Sequence, residues 1–452
     1  MAAPQLTTRI LRRLLASGVT GRAEKLLARL HPADLAPLLN GLSPDELRVV
    51  LDLLFRHHRA ATTLMELPPE MLPQIIETLS DDRNADVIAR LEIDDMLEFV
   101  EWIPEERRDG ILSLLPAAKS EELRKAELYP PSSAGRAMTT RFVALNEEMT
   151  AQAAIDRIRA EGDDNDSILY LYVVDDQFQL RGVVPIRRLV AARPDRLCRD
   201  LMIPDPISVP AEADQEEVAQ LVARYNLLAV PVIDANADDR MLGVITVDDV
   251  IDVITEEATE DMYHLAGLNE EDRVFTPATL SVRKRLPWLI LNLATAFTSA
   301  WVVGLFERSL EEVVALAILM PVVAGMGGNG GVQTLTVITR GIALGEIEFS
   351  SGFRTIVKEM SVGITVGLTI GVLGGIFAYF WRGNTYLGFV LFLAMPIHMT
   401  VAGFLGALVP LTLKALRQDP ALGAGVIVTT FTDIFGFFSF LGIATLLIDK
   451  LK

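Results

Sequence analysis

The chain has 452 residues, 50% of them hydrophobic, and carries a formal net charge of −19. That acidity excludes a nucleic-acid partner, because phosphates require a basic footprint, and it points instead to cations. The single cysteine, Cys198, excludes an internal disulfide and a thiolate metal cluster, and is expected to be a small packing residue.

The length exceeds one ordinary domain, so two or three units with separate cores are expected. Met1 to Leu15 is amphipathic, with Arg9, Arg12 and Arg13, and lacks a continuous apolar core or a small-residue cleavage site. The amino terminus is therefore expected in the cytosol. A short helical unit then repeats: HPADLAPLLNGL from His31, SPDELRVVLDLL from Ser43 and PPEMLPQIIETL from Pro68. SDDRNADVIARL from Ser80, EIDDMLEFVEWI from Glu92 and PEERRDGILSLL from Pro104 follow. Each opens on a cap or early-helix residue with acids in its first turn, then places leucine-type residues at helical spacing. Such units predict an all-α superhelical domain over 1–130. His57 and His58, side by side, point to opposite sides of a helix and form no site.

Over 131–253 a longer repeat appears, in which RAMTTRFVALNEEMTAQAAIDRI corresponds to RDLMIPDPISVPAEADQEEVAQLV. Each copy runs on into β-rich sequence, giving an extended lead-in, a helix, two strands around an Asp-containing turn, and a closing helix. This α/β pattern resembles a tandem cystathionine-β-synthase (CBS) pair, which implies a sensor of an adenosine ligand or a cation. The second copy keeps Gly243, Thr246 and Asp249, where the CBS pattern puts a hydroxyl and a carboxylate near a ribose. The first has Pro185 and Arg188 instead. At most one conventional nucleotide site is supported, and Thr246 and Asp249 serve equally as caps of the helix that starts there.

Residues 254–285 read as an acidic connecting segment. Ile251, Ile254, Ala258 and Met262 share one side of a helix whose remaining faces carry acids. Arg283, Lys284 and Arg285 then precede Pro287 and Trp288, a basic collar and aromatic anchor at a cytosolic interface.

Residues 286–452 hold five apolar stretches, at 287–306, 313–339, 356–380, 385–413 and 421–448, each long enough to cross a ~30 Å hydrocarbon layer. Arg340, Arg354, Lys358, Lys414 and Arg417 join the basic collar on one side, against Arg308, Arg382, Lys450 and Lys452 on the other. The excess places the first set inside, and an odd number of spans puts the carboxyl terminus outside. Asp433, in TTFTDIFGFF with Thr429, Thr430 and Thr432, reads as the one acid well inside a span. An isolated carboxylate there costs at least ~2.5 to 3.5 kcal/mol, so it faces a partner or a wet path. No Lys or Arg within a span is positioned to pair with it, which favours a pore-lining role.

The second span contains PVVAGMGGNGGVQT, with Gly325, Gly327, Gly328, Gly330 and Gly331 after Pro321. These glycines permit either close helix approach or an unwound segment whose carbonyls line a cavity, and Asn329 and Gln333 add neutral oxygens. Oxygen-only chemistry suits a hard cation such as Mg2+, which a carboxylate and neutral oxygens hold through its waters. His398, in AMPIHMT, is expected to be a hydrogen-bonded packing residue.

Taken together, the helical repeats, CBS modules, acidic helix, five spans, GGNGGVQ and TTFTD resemble the bacterial MgtE magnesium channels over essentially the whole chain. The resemblance implies a multi-pass inner-membrane homodimer that takes up Mg2+ and is closed by cytosolic Mg2+ bound between acidic faces. It implies Asp433 as the principal ion-binding residue, with Asn329 beside the path. The sensor acids it implies are Asp82 and Asp86 in the helical domain, and Glu216, Asp249 and Asp252 in the second CBS module. Glu257, Glu260 and Asp261 on the connecting helix and Asp419 before the fifth span complete the set. Asn226 stands where an acid is expected. If ATP tunes the sensor, Tyr170, Arg187 and Thr246 are the candidates to bind it. Two other readings stay open: a broader channel for Co2+, Ni2+ or Mn2+, and a membrane-anchored CBS nucleotide sensor. No nucleophile elbow, metal-hydrolase motif or phosphate loop supports an enzyme.

Overall fold

A computed structural model describes residues 2–16, 20–39, 41–68, 71–161, 170–268, 272, 274, 276–347 and 352–452. The chain divides into two compact units, Met1–Val253 and Ile254–Lys452.

The first unit begins with short helices: α1 (Ala2–Ala16), α2 (Thr20–Leu27), α3 (Pro32–Leu39), α4 (Pro44–Arg56) and α5 (Ala60–Met65). It continues with α6 (Leu72–Thr78), α7 (Asp81–Arg90), α8 (Ile93–Glu101), α9 (Glu105–Leu112) and α10 (Ala117–Ala126). The local signals act as the repeat predicts. Ser43 and Glu46 form a reciprocal capping box at the start of α4, with Pro44 as its first helical residue. The apolar faces merge into one core around Leu35, Leu54, Ile76, Val87 and Phe99. Phe99 is fully buried, so its truncation to alanine would cost about 3–5 kcal/mol.

Two arginines tie helices distant in sequence together through carbonyls at helix ends. Arg59 donates to Leu27 O and Leu30 O, and Arg107 donates to Ile76 O, Leu79 O and the Asp81 carboxylate. His57 pairs with Glu24 at 2.7 Å, an ordinary surface contact.

The CBS region starts at α11 (Ala134–Ala137). Its first module contains β1 (Ala144–Asn146), α12 (Ala151–Glu161), β2 (Tyr170–Val174), β3 (Leu180–Pro185) and α13 (Ile186–Ala191). After α14 (Cys198–Leu201) and β4 (Ile203–Pro204), the second contains β5 (Val209–Pro210), α15 (Gln215–Tyr225), β6 (Ala229–Asp234), β7 (Arg240–Thr246) and α16 (Val247–Leu265). The sheets run β1-β2-β3-β4 and β5-β6-β7, each with one parallel pair from the lead-in strand and one antiparallel hairpin.

The modules exchange their lead-in segments. The segment at Met202 and Ile203 lies on β3 over Gly182, and that at Met138 and Thr139 lies on β7 over Gly243. A Cβ at Gly182 would stand 2.7 Å from Met202 Sδ, and one at Gly243 would stand 2.7 Å from Thr139 O. Gly243 is thus required by a strand crossing, quite apart from any ligand. Cys198 is buried in the first module's core, the packing role expected of it.

The second unit contains five helices long and apolar enough to cross a membrane: α17 (Ala278–Gly304), then, after the short α18 (Glu307–Glu312), α19 (Val314–Ala343), α20 (Gly352–Arg382), α21 (Thr385–Ala415) and α22 (Ala424–Leu446). A terminal turn, α23 (Ile448–Leu451), follows. All five expected spans are present. The first helix begins earlier than expected and carries the basic collar within it. Residues 269–271, 273 and 275 of the expected connecting segment lie outside the described residues.

The tightest packing is between α20 and α21. Gly363, Gly367, Gly371 and Gly375 form one face of α20 at four-residue spacing, pressed on the backbone of α21. A Cβ at Gly367 would lie 2.6 Å from Pro396 Cα, one at Gly371 3.0 Å from Phe392 O, and one at Gly375 2.8 Å from Gly388 O. In the opposite direction, a Cβ at Gly403 would lie 2.6 Å from Glu359 O.

Candidate ion path and acidic clusters

Asp433 lies on α22, half-buried, with no hydrogen-bond or ion-pair partner among the described residues. Thr429 and Thr430 precede it by one turn and share its face. Their hydroxyls donate to helix carbonyls, Thr429 to Gly425 O at 2.9 Å and Thr430 to Val426 O at 2.7 Å. With those protons committed, the hydroxyls present only lone pairs outward. Lone pairs beside an ionised carboxylate accept hydrogen bonds from the waters of a hydrated cation.

The glycine-rich stretch resolves the two alternatives left by the sequence. α19 is a continuous helix through Pro321 and all five glycines, so no unwound carbonyls line a cavity. The glycines divide by face. Gly330 meets Met399, Gly331 meets Val428, and Gly327 meets His398, whereas a Cβ at Gly325 or Gly328 would meet nothing within 4 Å. Asn329 lies exposed next to that open face, as does Gln333.

His398 corrects another expectation. Its ring, fully buried, fits between Gly327 of α19 and Gly436 of α22, and neither nitrogen has a hydrogen-bond partner among the described residues. The Thr432 backbone lies near the ring but outside hydrogen-bonding geometry. The ring is a spacer filling the gap that the two glycines leave.

Asp433 is not the only acid within the helical bundle. Glu359, near the start of α20, is 4% exposed, accepts from Thr334 Oγ1 at 3.3 Å, and pairs with Lys358 at 2.5 Å. Its position at the end of a span, next to a lysine, made it resemble an interfacial residue in sequence.

In the first unit, Asp249 Oδ2 accepts from the Thr246 backbone N–H at 3.2 Å, capping the start of α16, and from the Thr246 hydroxyl at 2.6 Å. Facing it are the first-turn acids of α8. Burial, then the charge of Asp249, pushes the Asp94 carboxyl up to about 7, and burial, then Asp94, Glu98 and Glu92, pushes Asp95 up to about 7. Asp249 is raised by burial, against the lowering effect of its Thr246 bonds. Asp94 Oδ1 is buried with no hydrogen-bond partner among the described residues.

The helical-domain acids opposite Asp249 are therefore Asp94 and Asp95, with Glu92; Asp82 and Asp86 lie elsewhere on the domain. Asp82 is exposed in the first turn of α7, and Asp86 pairs with Arg90 at 3.0 Å one turn along the same helix. Glu216, in the first turn of α15, accepts from Gln220 at 3.3 Å, and Asp252 is exposed on α16. Asn226 closes α15 in the left-handed conformation at φ 51°, a backbone position that favours Asn.

A second cluster lies in the second unit. Glu260 and His264 share one face of α16, and Asp419 projects from the loop between α21 and α22. His264 Nδ1 lies 2.5 Å from Asp419 Oδ2 and 3.6 Å from Glu260 Oε1. Burial, then the charges of Asp419 and Glu257, raises neighbouring Asp261 to about 6. His264 was absent from the sequence-derived set, and its place one turn after Glu260 was the available signal.

Of the nucleotide candidates, Tyr170 packs at the start of β2 against a core shared by both modules. Arg187 is exposed on α13, and Thr246 is bonded to Asp249. The departures in the first module have structural explanations: Pro185 precedes α13 as its N-cap, and Arg188 donates to Leu201 O at 2.9 Å.

Residues 320–443 match the MgtE family profile, described as a divalent cation transporter, 30–132 match the MgtE intracellular N domain, and 134–195 and 198–256 match the CBS domain. A magnesium transporter MgtE of Bacillus subtilis is 33% identical over 429 residues, covering 92% of this chain and 95% of that protein. The chain belongs to the MgtE family. Another relative, the magnesium transporter MgtE of Thermus thermophilus, is 33% identical over 445 residues, with 97% and 98% covered.

Solved structures support the soluble fold of this MgtE family member. The soluble part of a magnesium transporter is 28% identical with a TM-score of 0.53, covering 56% of this chain and 99% of that one. The cytosolic domain of the Mg2+ channel MgtE in complex with ATP is 32% identical with a TM-score of 0.51, covering 54% and 99%. The expected family and fold class are thus established, and the family is one of transporters.

Proposed function

We propose that this MgtE family member is a Mg2+ channel whose ion path runs past Asp433, and that cytosolic Mg2+ closes it by binding between acidic surfaces. The observation that carries this reading is the unpartnered Asp433 carboxylate beside two outward-facing threonine oxygens on an apolar helix. In hydrocarbon that arrangement is costly unless a cation or water compensates it. The open face of α19, with Asn329, Gly325 and Gly328, is smooth enough for a second copy to approach, so the path is assigned to a homodimer.

The sensor set comprises Glu92, Asp94, Asp95 and Asp249 in one cluster and Glu260, Asp261 and Asp419 in the other, with Asp82, Asp86, Glu216, Asp252 and Glu257 as further members. Crowded carboxylates repel one another, and bound Mg2+ relieves that repulsion, so the ion favours the conformation that brings them together. The orientation assigned is a cytosolic amino terminus and an extracytoplasmic carboxyl terminus in a bacterial inner membrane. Similarity to an ATP-bound cytosolic domain supports ATP as a modulator held near Tyr170, Arg187 and Thr246.

Mg2+ flux into liposomes tests the reading, comparing wild type with Asp433→Ala at low and high Mg2+ on the cytosolic face. Loss of flux in the variant and suppression of wild-type flux by cytosolic Mg2+ are expected. Undiminished flux in Asp433→Ala would refute the assigned path.

A further inference from the structure

The cluster joining α16 to the loop before α22 differs in donor chemistry from the rest of the acidic set, because it contains an imidazole. Glu260 Oε1, His264 Nδ1 and Asp419 Oδ2 lie within 4.8 Å of one another. All three residues are partly buried.

The loop aims its carboxylate. Asp419 Oδ1 accepts from Ala421 N at 2.8 Å, which leaves Oδ2 directed at His264. The helix end is equally fixed: Gly267 takes φ 69° to turn the chain, and Gly423, at φ 64°, sits against the Trp288 ring. A Cβ at Gly425 would collide with Leu265 O, so the helix end rests directly on the start of α22. Beside His264, a cavity of about 210 Å³ bounded by Gly267, Leu268, Trp288, Leu422 and Gly423 leaves room for water ligands.

We propose that Glu260, His264 and Asp419 form a mixed imidazole–carboxylate site that takes a borderline divalent cation of the Co2+, Ni2+ or Zn2+ class in preference to Mg2+. This deepens the regulatory reading of Glu260 and Asp419 and rests on it.

The preference follows from the donors. Mg2+ demands octahedral oxygen ligation and surrenders water reluctantly, so an imidazole nitrogen adds little to its binding. The later first-row cations take imidazole readily and bind mixed nitrogen and oxygen sites in the order Co2+ below Ni2+, with Zn2+ also well suited. Geometry permits it. Donors bound at about 2.1 Å to one cation stand about 3 Å apart at right angles. The present separations of 2.5 and 3.6 Å bracket that value, so Asp419 needs to retreat and Glu260 to advance by about half an ångström each. Binding takes the Nδ1 lone pair, and the imidazole proton resides on Nε2. The carboxylate of Asp261 adds negative potential beside the site.

In consequence, trace amounts of such a cation would hold this end of α16 on the α21–α22 loop at concentrations where Mg2+ does not.

The test uses the full chain in detergent, with Co2+ as the probe. Its visible ligand-field absorption reports nitrogen ligation, and calorimetry compares Co2+ with Mg2+ for wild type, His264→Gln and Asp419→Asn. Co2+ is expected to bind one site per chain at least about tenfold tighter than Mg2+, with a band that His264→Gln abolishes. His264→Gln should weaken Co2+ about tenfold and change Mg2+ binding less than about twofold. Asp419→Asn should weaken both.

Co2+ affinity and spectrum unchanged by both substitutions would overturn the proposal, as would parallel losses of Co2+ and Mg2+ binding in His264→Gln. Loss of folding in one variant leaves the other to decide, checked by its elution volume. None of these measurements requires transport. Absent Mg2+ flux with an intact Co2+ site would therefore count against the channel reading alone, and intact flux with no Co2+ site against this inference alone.

Discussion

Replacing Asp94 with asparagine should stabilise the metal-free protein, with a definite pH dependence. Asp94 has an ordinary carboxyl value of 3.8 and is raised to about 7 in the fold. A carboxyl raised on folding holds its proton more tightly in the folded state, so it favours folding below the ordinary carboxylate range. That advantage is lost as pH rises from about 4 toward 7. At 1.36 kcal/mol per pH unit, a difference of about three units makes the ionised group cost at most about 4 kcal/mol above pH 7.

Asp95 shares that cost, since its own rise includes the Asp94 charge. Asp94→Asn, which retains the shape and removes the charge, should therefore recover about 2 kcal/mol at pH 8 in chelator. For a unit of this size that corresponds to a rise in Tm of about 4–8 °C. The assay is thermal unfolding of the full chain in detergent at pH 5.5 and pH 8, with EDTA or with Mg2+. The variant's advantage should shrink at pH 5.5, where the wild-type carboxyl is protonated, and Mg2+ should stabilise wild type more than the variant. A variant less stable than wild type at pH 8 in EDTA, or an advantage equal at both pH values, would refute the electrostatic account of this cluster.

Gly367→Ala should lower the Tm of the bundle through about 1–3 kcal/mol of overpacking against Pro396, while Gly374→Ala, whose Cβ would meet only Leu391 Cδ1 at 3.9 Å, should be neutral in the same melt. Gly327→Ala should destabilise the wild-type bundle and be tolerated in a His398→Ala background, which a double-mutant cycle of melting temperatures would show; additive effects would dismiss the spacer role of the ring. Arg107→Ala should cost about 2–3 kcal/mol in urea unfolding, because it leaves the Ile76 and Leu79 carbonyls and Asp81 without their shared cation.

The elements were legible wherever period and length decide them. The capped repeats from His31 onward, the doubled strand-and-helix order of the CBS region and five long apolar runs each carry their own local signal. Tertiary placement was less legible. Both the SDD and EIDD repeats open on paired acids, and which pair meets Asp249 depends on how the superhelix curves, which brings Asp94 and Asp95 there and leaves Asp82 and Asp86 aside. Five glycines in one span gave no indication that three face inward and two outward, since that depends on the neighbours α21 and α22. The four-residue glycine spacing from Gly363 to Gly375 was present in the sequence as a packing signature, overshadowed by the denser cluster before it. Asp433 stood out in sequence because a lone carboxylate in an apolar run is costly in any fold, whereas Glu359, beside Lys358, did not.

The glycine seam between α20 and α21 bears on how the bundle can move. Two helices pressed backbone to backbone over four turns cannot slide or roll without steric collision, so they form a stator. Between α19 and α21, by contrast, glycine permits close backbone approach at one level, where a Cβ at Gly406 would lie 2.7 Å from Gly331 O. Above and below that level side chains intervene, Leu319 and Val323 towards Leu391 on one side and Ile338 towards Ala407 on the other. Side chains re-rotamerise where abutting backbones cannot, so α19 has a freedom to shift against the stator that α20 lacks, and it carries Asn329 with it.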